Sequence, residues 1–420
     1  MRAARVAFVI ASAFFLFEFV CRVEPSLATK SISSYRHLSA GGFGTLSSLF
    51  FWVYAPMQIL VGVLLDRYGA RRFVILGPML CALGVLVFTL GGNLAWAGIG
   101  RALTGLGAAF AFVAALWEVN HWFSPGRFAL LSGGVNAIGM LGTAIGGMLL
   151  AGLIEQHGWQ LVFIGTAAAG LLIALAALFW LREPSFPAEN DSRGAIEHVR
   201  GNLVAVATSG RVWIIALIGM LFYMPVNVYG GLWGTSELMA DHHLSGVAAQ
   251  TAIAMIFCGM AAGSIAGGWL SDHLGHRKYL VFGGALMCAL AYAAAIYTRP
   301  SALIEASLLF AAGLFGGLQM LVFAMAKESM ANAMAGTVVA FVNMLGIAGA
   351  LIFQPLLGFL VDLNGGRYAL AMGTVPGTVA LAALIILKLP EYRHPDHQAG
   401  GKRVDCANSQ EQGETAPVRG

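Results

Sequence analysis

Gly62-Val63-Leu64-Leu65-Asp66-Arg67-Tyr68-Gly69-Ala70-Arg71-Arg72 is a short charged turn set between two long apolar runs. It returns further along the chain as Gly268-Trp269-Leu270-Ser271-Asp272-His273-Leu274-Gly275-His276-Arg277-Lys278. At that single offset Asp66 falls on Asp272, Gly69 on Gly275, Arg71 on Arg277 and Arg72 on Lys278, with no gap. Special residues repeating in register, each copy flanked by hydrophobic spans, mark two homologous halves. Internal repetition in a membrane protein points to a transporter. Gly62 and Gly69 permit close helix approach and a tight reversal. Asp66 can accept hydrogen bonds from a neighbouring helix N-terminus or from Arg71. A purely topogenic basic loop accounts for Arg71 and Arg72, but not for Asp66, Gly69 or the repeat.

Composition sets the surroundings of this turn. Hydrophobic residues make up 58% of the 420 and charged residues 10%, with a mean hydropathy of +0.77. A soluble protein carries about 25% charged residues, so most of this chain must face lipid. The apolar runs are continuous, which excludes the short alternating segments of a membrane barrel. At about 20 residues per crossing, twelve helical spans are expected: 5–25, 42–65, 72–91, 95–119, 128–153, 160–182, 211–235, 247–270, 278–298, 302–326, 335–361 and 367–388. The polar stretch 183–210 falls where a cytoplasmic linker belongs, leaving six-helix bundles over 1–182 and 211–389. Residues 390–420 are polar, poor in aromatics and expected to be a disordered cytoplasmic tail. With both termini cytoplasmic, 18 of the 24 lysines and arginines lie on that side or at its edge. Met1–Val20 has some likeness to a secretory leader, but Glu18 and the lack of a clean small-residue cleavage site predict an uncleaved first span. Cys21, Cys81, Cys258 and Cys288 sit in apolar runs without metal-type spacing and read as small core residues.

The repeated turn resembles the second-to-third helix loop of the major facilitator superfamily, G-x-L-x-D-R-x-G-R-[RK], nearly complete in the first copy and good in the second. Arg101-Ala102-Leu103-Thr104-Gly105-Leu106-Gly107-Ala108-Ala109 resembles that family's fourth-helix signature, and Gly105 and Gly107 have counterparts at Gly313 and Gly316 or Gly317. Gly142-Thr143-Ala144-Ile145-Gly146-Gly147 has the spacing of the G-P-x-x-G-G element of family antiporters, with Thr143 in place of the proline. That departure tilts the reading from export toward uptake. Gly158-Trp159 is also typical of the family, and Tyr54, Pro56 and Gln58 are similar to a branch of organophosphate, organic-acid and dipeptide carriers. The resemblance implies an all-α membrane protein, with twelve transmembrane helices in two pseudo-symmetric six-helix bundles and spans one, four, seven and ten around a central cavity. It also implies gating at Gly62, Asp66, Arg67, Gly69, Arg71, Arg72, Asp272, Gly275, Arg277 and Lys278.

An ionisable residue inside a span is costly and marks a functional site by default. Glu18 and Arg22 lie four apart, on one face of the first span. At about 1.5 Å per residue they sit roughly 20 and 25 Å from its inner end, and Arg101 descends to that level from outside. These three are expected to form a charge cluster on the substrate path, with Glu18 gaining and losing a proton. A structural Glu18–Arg22 pair with Arg101 snorkelling to the interface is the plainer reading. Tyr223, Asn227 and Tyr229 surround Pro225 and Gly230-Gly231, where a broken seventh helix suits a cavity wall. Gln319, Asn136 and Asn343 are further polar candidates, equally suited to joining helices. Glu118 falls near Lys327 and Glu328 at the repeat offset, where an inner-gate pair and a solvated helix end both fit. His121, His242 and His243 lie near span ends and are expected to be solvated.

Both signs of charge with several amides favour a small anionic or zwitterionic solute. The expected activity is secondary transport by alternating access in a cell inner membrane, by proton-coupled symport. The alternatives are proton-antiport export of drugs or siderophores and, further off, a transporter-like solute sensor. No Gly-x-x-x-x-Gly-Lys-[Ser/Thr] loop, His-Glu-x-x-His or serine elbow occurs, so neither ATP hydrolysis nor another enzyme activity is expected. The expected unit is a monomer in the lipid bilayer with a small-molecule substrate. It needs no nucleic acid, metal or cofactor, only an ion gradient, H+.

Overall fold

Among the described residues of a computed structural model (2–182, 201–274, 276–330 and 334–389), twelve helices are long and apolar enough to cross a membrane. In chain order they are α1 (Ala3–Arg36), α2 (Ala40–Leu65), α3 (Ala70–Leu90), α4 (Leu94–Trp122), α5 (Gly133–His157) and α6 (Trp159–Trp180), then α7 (Gly210–Ala240), α8 (Gly246–Ser271), α9 (Arg277–Thr298), α10 (Ala302–Glu328), α11 (Gly336–Leu363) and α12 (Ala369–Ile386). Every expected span has its helix. The expected tail and residues 183–200 of the expected linker lie outside the described residues. An even number of crossings brings the start of α1 and the finish of α12 to one end of the molecule, here the terminal end; the other is the far end.

Turn chemistry sets the reversals. The helix of α2 continues to Tyr68 and the next begins at Ala70, so Gly69 alone makes the turn, at φ 75° and ψ 160°. That region is open essentially only to glycine. Gly158 does the same between α5 and α6, at φ 81° and ψ 154°.

Four spans lose α-geometry in mid-membrane, and they are the four that the resemblance put around the cavity. In α1 the helix stops at Val23, passes through a 3₁₀ turn over Glu24–Ala28 that begins with Pro25 near its start, and resumes over Thr29–Arg36. This is why α1 runs well past residue 25. In α4 the break lies between Ala108 and Ala111, and in α10 at Gly317–Gln319. In α7 a π-helical stretch over Val226–Trp233 follows Pro225. Such breaks persist in a membrane only where protein or a watery cavity serves the freed backbone groups.

Small residues let the helices close up. A Cβ at Gly105 of α4 would run into the Phe50 carbonyl of α2, and one at Gly313 of α10 into the Ile256 carbonyl of α8. Phe50 and Ile256 are themselves related by the offset of the repeated turn, so the duplication is built into the packing. In α5, Gly142 and Gly146 lie on Leu16 and Val20 of α1, and Gly147 on Gln250 of α8. Thr143 returns its hydroxyl to the Gly139 carbonyl, 2.9 Å away, in an unbroken helix.

The halves meet toward the far end. Ala40 and Gly41, at the start of α2, donate their N–H groups to Asp362 at the end of α11, at 2.9 and 2.7 Å. A carboxylate on a helix N-terminus is favourable. Gly246, opening α8, lies close to the Glu155 carboxylate near the end of α5. Toward the terminal end the same four helices have room: a Cβ at Gly62, Gly133, Gly268 or Gly336 would meet nothing within 4 Å.

Candidate functional site

Glu18 is fully buried, and the Arg22 Nε donates to its Oε1 at 2.9 Å, with Nη2 reaching the same oxygen. One turn of helix forms the pair, because residues four apart share a face. The guanidinium carbon lies 4.5 Å from the centre of the Phe19 ring, 5.0 Å from Tyr54 and 5.9 Å from Phe50, so aromatic faces back the cation. Tyr223 of α7 also interacts with Arg22. The pair therefore lies at the junction of the halves, with α1 and α2 on one side and α7 on the other. The second carboxylate oxygen, Glu18 Oε2, is buried without a hydrogen-bond partner.

Arg101 is buried, not snorkelled. Its Nη1 donates to the Cys21 carbonyl at 3.0 Å and its Nη2 to the Arg22 carbonyl at 3.4 Å. These carbonyls end the first helical piece of α1, so Arg101 caps a broken helix at its negative end. It joins the cluster through the backbone that carries Arg22, rather than through Glu18. Glu24 is the acid the sequence reading passed over: it is buried in the 3₁₀ turn and faces Thr166 of α6 and Arg101. This cluster thus sets two acids, Glu18 and Glu24, beside two arginines, Arg22 and Arg101, the kind of balance a low-dielectric site requires.

The other candidates divide. The Asn227 carbonyl accepts a hydrogen bond from Gln354 Nε2 at 3.0 Å, while its own Nδ2 is buried without a partner. Gln319 turns its amide toward Gly219 of α7. Asn343 and Asn136 are half-buried. Tyr229 turns away from the Arg22 site and donates its hydroxyl to Glu237 Oε2 at 2.9 Å. His242 is not solvated: its ring lies between Glu237 and Glu305. Nor is Glu118 at a solvated helix end, since it is fully buried.

The charged turns serve their own halves. Arg71 donates to the Leu178 and Leu181 carbonyls at the end of α6, at 2.9 and 2.8 Å. Lys278 donates to the Leu387 and Leu389 carbonyls just past α12, at 2.9 and 2.7 Å. Both cap orphan carbonyls at a helix C-terminus. Arg277 pairs with Glu328 of α10 at 2.8 Å, whereas Lys327 is exposed. Arg67 and Arg72 are exposed and lie over Tyr68. The side chains of Asp66 and Asp272, and the whole of Gly275, lie outside the described residues.

A family model described as Major Facilitator Superfamily matches residues 6–231 and 215–417. The chain is 24% identical to the probable sulfoacetate transporter SauU of Cupriavidus necator, over 92% of this chain and 94% of that protein. It is 26% identical to the membrane sensor protein UhpC of Salmonella typhimurium, over 86% of each. The crystal structure of a D-xylose-proton symporter superposes with a TM-score of 0.71 at 14% identity, over 92% of this chain and 98% of the other.

Proposed function

The chain belongs to the Major Facilitator Superfamily, and from that premise we propose that this solute transporter carries a small organic anion together with a proton. The observation that carries the reading is the buried Glu18–Arg22 pair between the halves. A carboxylate or sulfonate entering the site competes with Glu18 for the guanidinium, which can hold either in a forked pair. Glu18, losing its partner in a low-dielectric site, takes up a proton. The site then holds one arginine, one bound anion and a neutral acid, so a singly charged solute crosses without leaving an unpaired charge. The Tyr54 and Tyr223 rings close the site from either half. Sulfoacetate, the solute named for one relative, offers either a carboxylate or a sulfonate to the guanidinium; as a dianion it brings one negative charge more than the singly charged case.

In this reading the terminal end faces the cytoplasm of a cell inner membrane, and the α2–α11 and α5–α8 contacts form the gate on the opposite side. The halves rock about the central site, opening it to either side in turn. The test is counterflow by purified protein in liposomes, with radiolabelled sulfoacetate set against xylose. Anion counterflow that Arg22→Gln abolishes is expected; equal movement of the neutral sugar would refute the assignment. Solute sensing is favoured by the likeness to UhpC. A protein that binds the anion but moves none of it would establish that second reading.

A further inference from the structure

The second half holds a buried acid–base cluster that the transport reading does not use. The His242 ring lies with Nε2 3.2 Å from Glu237 Oε1 and Nδ1 3.3 Å from Glu305 Oε2. Both glutamates are fully buried and the histidine side chain is 3% exposed. Glu237 belongs to the last helical piece of α7, Gly234–Ala240, while Glu305 lies in the first turn of α10. The other groups acting on the cluster are the Tyr229 hydroxyl on Glu237, the Ile296 carbonyl of α9 on His242, and Tyr368, which interacts with Asp241 and Glu237. Tyr292 stacks edge-on against Tyr229, 5.6 Å between ring centres.

With a neutral imidazole, two buried carboxylates would face each other across the ring. A proton on the ring pairs it with both and leaves one net negative charge, by far the smaller desolvation problem. The cluster also sits where it can move a gate. The same piece of chain that carries Glu237 begins just after Trp233, whose Nε1 donates to the Gln354 carbonyl of α11 at 3.0 Å. The Trp233 ring meets Phe43 of α2 across the halves, with centres 6.0 Å apart.

We propose that Glu237, His242 and Glu305 form a second proton-binding station, distinct from Glu18, and that its proton clamps the far segment of α7 onto α10 and so holds the far end closed. The inference rests on the transport reading only in treating the far end as a gate. Hydrogen bonding to Glu237 holds the His242 imidazole above its ordinary value, against the cost of burial and with the charge of both glutamates adding to it. A proton gripped harder in the clamped state stabilises that state fully below the ordinary imidazole value of about 6.5. The stabilisation is lost as pH rises through the raised value. Acid on the far side therefore closes the gate.

The test is the distance between spin labels at Leu94 and Leu303, exposed residues that open α4 and α10. It is read by pulsed electron resonance on the full chain in nanodiscs, with pH as the only variable. Replacing Cys258 and Cys406 leaves the buried Cys21, Cys81 and Cys288 as background thiols. Wild type is expected to shift from a short to a longer distance as pH rises, and Glu18→Gln to keep that shift. His242→Gln and Glu305→Gln are expected to lose it, and His242→Gln to lose about one titrating proton per molecule in a potentiometric titration. Wild-type distances that ignore pH, or a His242→Gln profile that overlays wild type, would overturn the station. Either result leaves the anion-counterflow reading standing. Failed counterflow with an intact pH shift would sink that reading and spare the station.

Discussion

Arg22 and Arg101 are both buried arginines in one half, yet they do different work. Arg22 faces the Glu18 carboxylate, which the proposed mechanism has a solute replace, whereas Arg101 forks across two backbone carbonyls at a helix break. Arg101→Lys is therefore expected to cost about 1–3 kcal/mol of stability, because an ammonium is a point donor and leaves one carbonyl unserved. A melting temperature and uptake rate equal to wild type would show that the fork is idle. The Glu18–Arg22 pair was legible in the sequence, since spacing alone puts residues four apart on one face. The partner of Arg101 was not, because it is backbone, and no side-chain pattern announces it. Glu24 escaped for a related reason: it stands in the last turn of the expected 5–25 span, where a solvated helix end was the natural reading, and faces inward only because the 3₁₀ turn carries α1 onward. The Glu237–His242–Glu305 cluster draws on a helix, a loop and a second helix, a convergence that sequence order hides.

At the scale of the element, single positions decide how helices turn and meet. Gly69 makes the α2–α3 reversal alone, so Gly69→Ala is expected to cost about 1–3 kcal/mol, seen as a lower melting temperature in detergent. An unchanged melt would mean that the turn relaxes without strain. Asp362 holds two N–H groups of the opposing half. Asp362→Asn removes the charge that favours the helix N-terminus, worth about 0.3–1 kcal/mol, and tips the balance toward far-end opening. Faster alkylation of a cysteine placed at the buried Ser48, one turn beyond Gly44, which packs on the Gln354 carbonyl of α11, would report it. A rate unchanged by the substitution would show that Asp362 does not bear on the gate. The repeated turn, the twelve spans and the break near Pro225 were readable from glycine, proline and apolar run length. The far-end latch was not, because Gly41 and Asp362 are 321 residues apart and neither carries a motif.

Across the whole molecule, the two ends contrast. At the far end Gly41 and Gly44 of α2 are wedged against Asp362 and Gln354 of α11, whereas Gly62 and Gly336, toward the terminal end of the same two helices, meet nothing within 4 Å. The Arg71 and Lys278 contacts stay within their own halves. A duplicated bundle whose halves meet at the far end, with a buried ion pair at the junction, is what the proposed alternating-access cycle needs in one of its states. The most direct trial of the proposed coupling is sulfoacetate accumulation in liposomes under an imposed proton gradient, for wild type and Glu18→Gln. Wild type is expected to concentrate the anion only when the gradient is directed into the liposome, and Glu18→Gln to exchange it without concentrating it. Wild-type accumulation that is the same with and without the gradient, or a Glu18→Gln variant that still concentrates the anion, would contradict the account.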